Sequence, residues 1–131
     1  MIAPMPDLTI GSNYSFSQIM AAYHADPQGA DDAHFLVYRG DEFLALCLRY
    51  KFNPNPHEVW VGNDPAVALW GERLAQCKDK KSVPLYYSPK SRTFYEFKGH
   101  HLITGDTTDL EELAKRKGPV PLSRIVFLKK A

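Results

Sequence analysis

The chain has 131 residues, of which 44% are hydrophobic and 12% aromatic, and its formal net charge is +1. This length fits one compact domain with a real core and is too short for two. No run of 18 apolar residues and no leader-like segment occurs, so we expect neither a membrane span nor a secretory signal, and hence a cytoplasmic protein. We expect residues 1–131 to form a single domain whose residues 1–10 are a flexible N-terminal segment.

The first predicted elements are a turn at residues 11–13, a helix and a hairpin. Ser15 and Gln18 form a capping-box pattern, which predicts a short helix that ends before Asp26. Its inward side would carry Ile19, Met20 and Tyr23. Residues 34–38 and 43–50 alternate as strands do, and the turn at residues 39–41 would join them as a hairpin.

The middle of the chain predicts a strand followed by a helix. Residues 58–62 have strand composition, and Asp64-Pro65 is typical of a helix start because Asp accepts N–H groups and Pro lacks one. The apolar side of this helix would carry Val67, Leu69, Trp70 and Leu74.

The last part of the chain predicts four strands and a short helix. Residues 83–87, 93–97, 100–104 and 124–128 would be strands, with turns at residues 88–90 and at Lys98-Gly99. Thr108 and Glu111 would cap the helix. The resulting order, α β β β α β β β α β, favours an α+β fold with a mainly antiparallel, curved, barrel-like sheet and two or three short helices.

Catalytic signatures are missing from this pattern. The chain has neither G-x-G-x-x-G nor a phosphate-cradling loop with Lys and Ser or Thr, and no strand ends in a nucleophile elbow. His100 and His101 would point to opposite faces of a strand, so we expect no metal site there. Cys47 and Cys77 are typical of small apolar filler in a reducing compartment. We therefore expect no enzyme, no metal and no cofactor.

Residues 50–65 combine aromatic, amide and glycine residues as a base-reading pocket does. Tyr50 and Trp60 can stack on a planar ring, and the Asn53 amide can both donate and accept hydrogen bonds in its plane. Gly62 and Asn63 form a tight turn where backbone can approach a ligand. The simpler interpretations remain open: Trp60 as a core aromatic, Tyr50 as a cover for the sheet, and Asn53 as a turn former before a proline.

Basic residues are concentrated in the C-terminal two-thirds of the chain. Residues 1–47 hold six acids and one base, whereas residues 48–131 hold fifteen bases and nine acids. This distribution could meet a phosphate backbone, although a solvated lysine-rich surface gives the same pattern. The predicted phosphate contacts are Arg39, Arg49, Lys51, Lys90, Arg92 and Lys98.

Several short motifs follow one another in a familiar order. They are Leu48-Arg49-Tyr50, Asn53-Pro54-Asn55-Pro56, Val59-Trp60-Val61-Gly62, Trp70-Gly71, Val83-Pro84-Leu85-Tyr86-Tyr87 and Tyr95-Glu96-Phe97-Lys98-Gly99. In order and spacing the chain resembles the SRA (SET and RING-associated, YDG) domains, particularly the bacterial SRA-like domains joined to HNH nucleases in modification-dependent restriction enzymes. The resemblance implies a PUA-like barrel that holds a flipped, modified cytosine such as methylcytosine in a pocket.

The resemblance also implies roles for individual residues. Tyr50 and Trp60 match the two stacking aromatics, and Gly62 matches the glycine that follows them. Asn53 stands where the family has an acidic residue, and Val61 stands where its best-known members have threonine. Because an amide can donate as well as accept, the preferred base need not be 5-methylcytosine.

The sequence therefore predicts a DNA-binding module, with DNA favoured over RNA, that reads a modified and flipped base. The chain carries no nuclease motif, so a separate nuclease or effector protein would complete a restriction-modification function. Two other classes remain open. One is a PUA-like small-ligand-binding protein or hydrolase that uses the same cleft with His57 or Asp64, and the other is a protein-interaction domain with exposed aromatics.

Overall fold

A computed structural model describes residues 9–25, 36–40, 42–78, 80–89, 94–118 and 120–131. The predicted flexible N-terminal segment lies outside the described residues up to residue 8. Seven strands and three helices occur in the described residues, in the order β α β β β α β β α β. The strands are β1 (Asn13–Ser15), β2 (Leu36–Arg39), β3 (Glu42–Arg49), β4 (Glu58–Gly62), β5 (Ser82–Ser88), β6 (Phe94–Thr107) and β7 (Leu122–Lys130). The helices are α1 (Phe16–Ala22), α2 (Pro65–Ala75) and α3 (Leu110–Ala114).

The strands form one curled half-barrel sheet with the order β2-β3-β5-β6-β7-β4, and β1 pairs separately with the start of β6. The α+β class is confirmed. The sheet is mixed, because β3 and β5 run parallel while the other pairs are antiparallel. A parallel pair needs a long connection, and β4 with α2 supplies it here.

The prediction of two strands separated by a turn at Lys98-Gly99 is wrong. β6 runs without a break from Phe94 to Thr107. Gly99 has a φ of 89°, and the pairing with β5 shifts register between Leu85 and Tyr86. A glycine in left-handed backbone conformation is typical of a β-bulge as well as of a turn, and here it serves a bulge.

This bulge changes which face of the sheet the odd-numbered residues of β6 occupy. Before it, Tyr95 and Phe97 pack with α1; after it, Ile103 packs in the other core with α2 neighbours. The core on the α2 side contains Leu46, Leu48, Val59, Val61, Leu74, Leu85, Ile103 and Val126. The core on the α1 side contains Ile19, Tyr23, Val37, Ala45, Cys47, Tyr86, Tyr95 and Phe97.

The starts of α1 and α2 were predicted correctly. Ser15 Oγ accepts from the Gln18 N–H while Gln18 Oε1 accepts from the Ser15 N–H, which completes the capping box. Asp64 caps α2, and Pro65 is its first residue. Gly71 lets α2 approach β4, because a Cβ at this position would lie 2.5 Å from Val61 Cγ1.

Three sequence expectations differ from the structure at the helices and at β1. The cap of α3 is Asp109 and not Thr108, since the Asp109 carboxylate accepts from the Glu111 N–H. Leu69 was predicted on the apolar side of α2 but is 47% exposed. Residue Asn13 was predicted in a turn and instead begins β1, a strand too short to show an alternating pattern.

No helix within the described ranges combines the length and the apolar character that crossing a bilayer would require. Both cysteines are free thiols: Cys47 is buried in β3, and Cys77 lies just after α2.

Candidate functional site

Asn53 is buried, with 3% of its surface exposed, and its oxygens bind two different strands. Its Oδ1 accepts from the Trp60 N–H of β4 at 2.7 Å, and its backbone oxygen accepts from the Tyr87 hydroxyl of β5 at 2.8 Å. The chain reaches this position through a tight turn in which the Asn53 N–H binds the Arg49 oxygen. Asn53 therefore joins the loop after β3 to β4 and β5.

Trp60 alternates with Val59 and Val61 along β4, because both valines are fully buried and Trp60 is partly exposed. Its indole Nε1–H donates to Glu58 Oε1 at 2.9 Å. The ring lies against the backbone of Gly118, where a Cβ would come within 3.3 Å of two ring carbons. The indole is thus held by partners within the protein.

The partner of the indole, Glu58, also forms an ion pair with Arg116. Arg116 Nη2 lies 2.8 Å from Glu58 Oε2, and both side chains are largely buried. The hydrogen bond from Arg116 is the main reason that the pKa of Glu58 is lowered. A second acid, Glu112, binds Arg116 at 3.0 Å, so this group ties α3 and β4 together.

The remaining residues of the predicted turn are anchored to the start of β7. Val61 packs on Gly71 in the core and is 0% exposed. The Gly62 oxygen accepts from Ser123 Oγ at 2.8 Å, and the Asn63 N–H donates to the Pro121 oxygen at 3.1 Å. Asn63 itself is exposed to solvent.

Tyr50 has the most open aromatic ring of the predicted site residues, with 56% of its surface exposed. Its N–H donates to the Ser88 oxygen at 2.9 Å, which fixes the backbone beside β5. The Arg49 guanidinium and the Lys51 ammonium lie 5.0 Å and 5.4 Å from the centre of the Phe52 ring. We call residues 49–52 the Tyr50 patch.

The structure does not bring all the predicted site residues together. Tyr50 is fixed beside β5, whereas Trp60 is fixed against Gly118. Among the described residues, no hydrogen bond or ring contact joins Tyr50 to Trp60. The accessible aromatic surface of the predicted pocket is therefore concentrated on Tyr50.

Phe94 is an exposed aromatic that sequence reasoning missed. It is 53% exposed at the start of β6 and alternates with Tyr95, which packs under α1. Phe94 therefore lies on the opposite face, the face that carries Tyr87. Tyr87 is close enough to Tyr50 for the two phenols to interact electrostatically, although burial is the larger cause of its raised pKa. In a strand over residues 93–97, Phe94 and Tyr95 must point to opposite faces, and this alternation was the signal that could have identified Phe94.

The predicted phosphate contacts fall into four groups. Arg49 and Lys51 belong to the Tyr50 patch, while Lys98 Nζ binds Glu96 Oε2 at 2.8 Å. Arg39 ends β2 and has interaction partners of its own. Lys90 and Arg92 lie outside the described residues.

The residues weighed for catalysis or metal binding have different local partners. Asp64 is engaged as a helix cap through the Ala66 N–H. His57 is exposed, and its backbone N–H donates to Asn55 Oδ1. His101 is buried, which lowers its pKa, and its Nδ1 lies 3.2 Å from the Gly99 oxygen. Within the described part of the chain, no group of three His, Cys, Asp or Glu side chains is arranged to hold a metal ion.

Comparisons with protein-family models, with curated proteins and with solved structures find no match for this chain.

Proposed function

We propose that the protein is a nucleic-acid-binding module in which Tyr50 stacks on a base. The observation that carries this proposal is the 56% exposure of Tyr50 between two cations, Arg49 and Lys51. Nucleic-acid-binding surfaces combine aromatic faces for the bases with positive charge for the backbone. Phe94 adds a second exposed ring on the side of the sheet that carries Tyr87.

The magnitudes favour a contribution from stacking over one from charge. Stacking on an aromatic side chain contributes about 1 to 3 kcal/mol per base, whereas the few cations of the patch release few counterions. The net charge of the whole chain is only +1. We therefore expect modest affinity that depends on Tyr50 and only moderately on salt.

The proposal extends to a modified, flipped base in DNA, as the resemblance to SRA domains implies. Its support is the order of the sequence motifs and the curled sheet. Asn53 and Trp60 are bound to each other in the structure, so the proposal places the base on Tyr50 and gives Asn53 the task of holding the loop. Cleavage would be left to a separate nuclease or effector, and the module itself would not be an enzyme.

The decisive variant is Tyr50→Ala, with Leu110→Ala as the matched control. Leu110 is 80% exposed on α3, so its truncation also removes apolar surface but leaves the Tyr50 patch intact. We would measure fluorescence anisotropy with duplexes that carry cytosine, 5-methylcytosine, 5-hydroxymethylcytosine or a phosphorothioate, and with one single-stranded RNA. We expect Tyr50→Ala to weaken binding about tenfold, which corresponds to loss of one stacked base.

Each result bears on a separate part of the proposal. Preference of the wild-type protein for one modified duplex, lost in Tyr50→Ala and kept in Leu110→Ala, would support base reading. Equal affinity of Tyr50→Ala and wild type would exclude Tyr50 as the stacking residue. Absence of binding to every nucleic acid would refute the function.

A further inference from the structure

Three side chains with hydrogen-bond donors form a row on the α1 face of the sheet. Arg49 of β3 pairs directly with Ser88 of β5. Tyr87 pairs with Glu96, so the next position along places Ser88 beside Tyr95 of β6. The preceding row on the same strands contains Cys47, Tyr86 and Phe97, all packed in the α1-side core. Arg49, Ser88 and Tyr95 thus lie side by side where this core reaches the end of the sheet.

The Ser88 hydroxyl in the middle of this row is buried and has no partner. Ser88 is 2% exposed, and its Oγ is the only buried side-chain oxygen or nitrogen of the described residues that lacks a hydrogen bond. A buried polar group without a partner destabilises a fold, so such groups are rare and call for an explanation, of which a bound ion is one.

The neighbours of Ser88 on both sides have side-chain donors that are not hydrogen-bonded to any residue the structure describes. Arg49 forms no ion pair with any described carboxylate, and its guanidinium lies over the Phe52 ring. The Tyr95 hydroxyl makes no hydrogen bond to a described residue. Burial raises the pKa of Tyr95 to about 12, although the Arg49 charge lowers it, so this phenol keeps its proton at neutral pH and can donate.

We propose that Arg49, Ser88 and Tyr95 form a binding site for one phosphate group. A guanidinium and two hydroxyl groups are the kinds of donor that bind phosphate oxygens, and Arg49 is close enough to Tyr95 to act on its pKa. The site adjoins the Tyr50 patch, because the Tyr50 N–H binds the Ser88 oxygen. The identity of the ligand rests on the proposed function: the phosphate would belong to the nucleic acid whose base stacks on Tyr50.

The site can be tested with inorganic phosphate alone, because binding of the anion does not need a base. We would titrate phosphate into ¹⁵N-labelled protein at pH 7 and constant ionic strength, with chloride as the reference, and follow the amides of residues 49, 88 and 95. Wild type should show saturable shifts. Arg49→Gln should bind phosphate at least about tenfold more weakly, because it loses charge-assisted hydrogen bonds. Lys129→Gln, which removes a charge from the exposed end of β7, should bind as wild type does.

Ser88→Ala separates binding from folding. If the Ser88 hydroxyl had a structural hydrogen bond, its removal would lower the thermal stability of the protein. The hydroxyl has no such partner, so its removal breaks no hydrogen bond. We expect a melting temperature equal to or above that of wild type, together with several-fold weaker phosphate binding. A lower melting temperature with unchanged phosphate affinity would overturn the assignment of Ser88.

Oligonucleotides distinguish this site from the proposed function. Paired 5′-phosphorylated and unphosphorylated strands show whether the site takes a terminal phosphate or a backbone phosphate, since only a terminal site prefers the former. Saturable phosphate binding without any oligonucleotide binding would keep the site and refute the function. Oligonucleotide binding that depends on Tyr50, without phosphate-induced shifts at residues 49, 88 and 95, would keep the function and refute the site.

Discussion

Asn53 is a residue whose side-chain amide has a structural task that can be measured. Its Oδ1 is the acceptor for the part-buried Trp60 N–H. Replacement by alanine would leave that N–H without a partner, which costs about 1 to 3 kcal/mol. We expect Asn53→Ala to lower the free energy of unfolding by this amount in urea denaturation.

Asn55→Ala is the control for this prediction. Asn55 is exposed, and its Oδ1 accepts from the exposed His57 N–H, which water can replace. We expect Asn55→Ala to lower the free energy of unfolding by much less than Asn53→Ala does. Equal losses of unfolding free energy in the two variants would show that the hydrogen bond between Asn53 and Trp60 stabilises the protein no more than the exposed one does.

The residue scale also shows what the sequence could predict about the site. The alternation of Trp60 with two buried valines follows from a local pattern. The partners of Asn53 and Trp60 do not, because Tyr87 and Gly118 are distant in sequence. The unpaired hydroxyl of Ser88 depends on register between strands, which no local pattern records.

At the scale of elements, Gly99 is the position that allows β6 to continue as one strand. Its φ of 89° is unfavourable for any residue with a Cβ, at a cost of about 1 to 2 kcal/mol. An added Cβ would also lie 3.1 Å from Ile10 Cδ1. We expect Gly99→Ala to destabilise the protein by at least this amount, as measured by urea denaturation.

Gly105, in the same strand, provides the comparison. It has no left-handed φ, and a Cβ there would meet nothing within 4 Å. Gly105→Ala should change the free energy of unfolding by less than about 0.5 kcal/mol. A Gly99→Ala variant as stable as Gly105→Ala would show that the bulge is not needed for β6.

Elements were predictable where the signal is local. The bounds of β4 and the caps of α1 and α2 agree with the sequence prediction, because alternation and capping act over a few residues. The unbroken β6 could not be predicted, since a glycine before a polar stretch indicates a turn as readily as a bulge. The parallel pairing of β3 with β5 depends on how the whole sheet closes.

At the scale of the whole molecule, two groups link folding to pH in the same direction. Burial is the main cause that lowers the pKa of His101, and electrostatic interactions with His57, Lys130 and His100 act in the same direction. The hydrogen bond from Arg116 lowers the pKa of Glu58. In both cases the unfolded chain binds more protons than the folded chain, so stability falls as pH falls.

The two groups act in different pH ranges. Loss of stability from His101 should begin as pH falls below its ordinary pKa of 6.5, and that from Glu58 below its ordinary pKa of 4.5. Melting temperatures between pH 8 and pH 3 would show both parts. His101→Asn should reduce the fall in melting temperature below pH 6.5, and Glu58→Gln should reduce the fall below pH 4.5. A pH profile unchanged in both variants would contradict this assignment.

The hydrogen bond between Asn53 and Trp60 also affects how copies of the protein can associate. β4 ends the strand order, so its outer side could pair with a strand from another copy. Exposed strand edges of this kind template aggregation. One outward-facing donor of that edge, the Trp60 N–H, is already bound by the buried Asn53 side chain of the same molecule. We therefore expect the loop after β3 to make pairing of this edge with another copy less favourable.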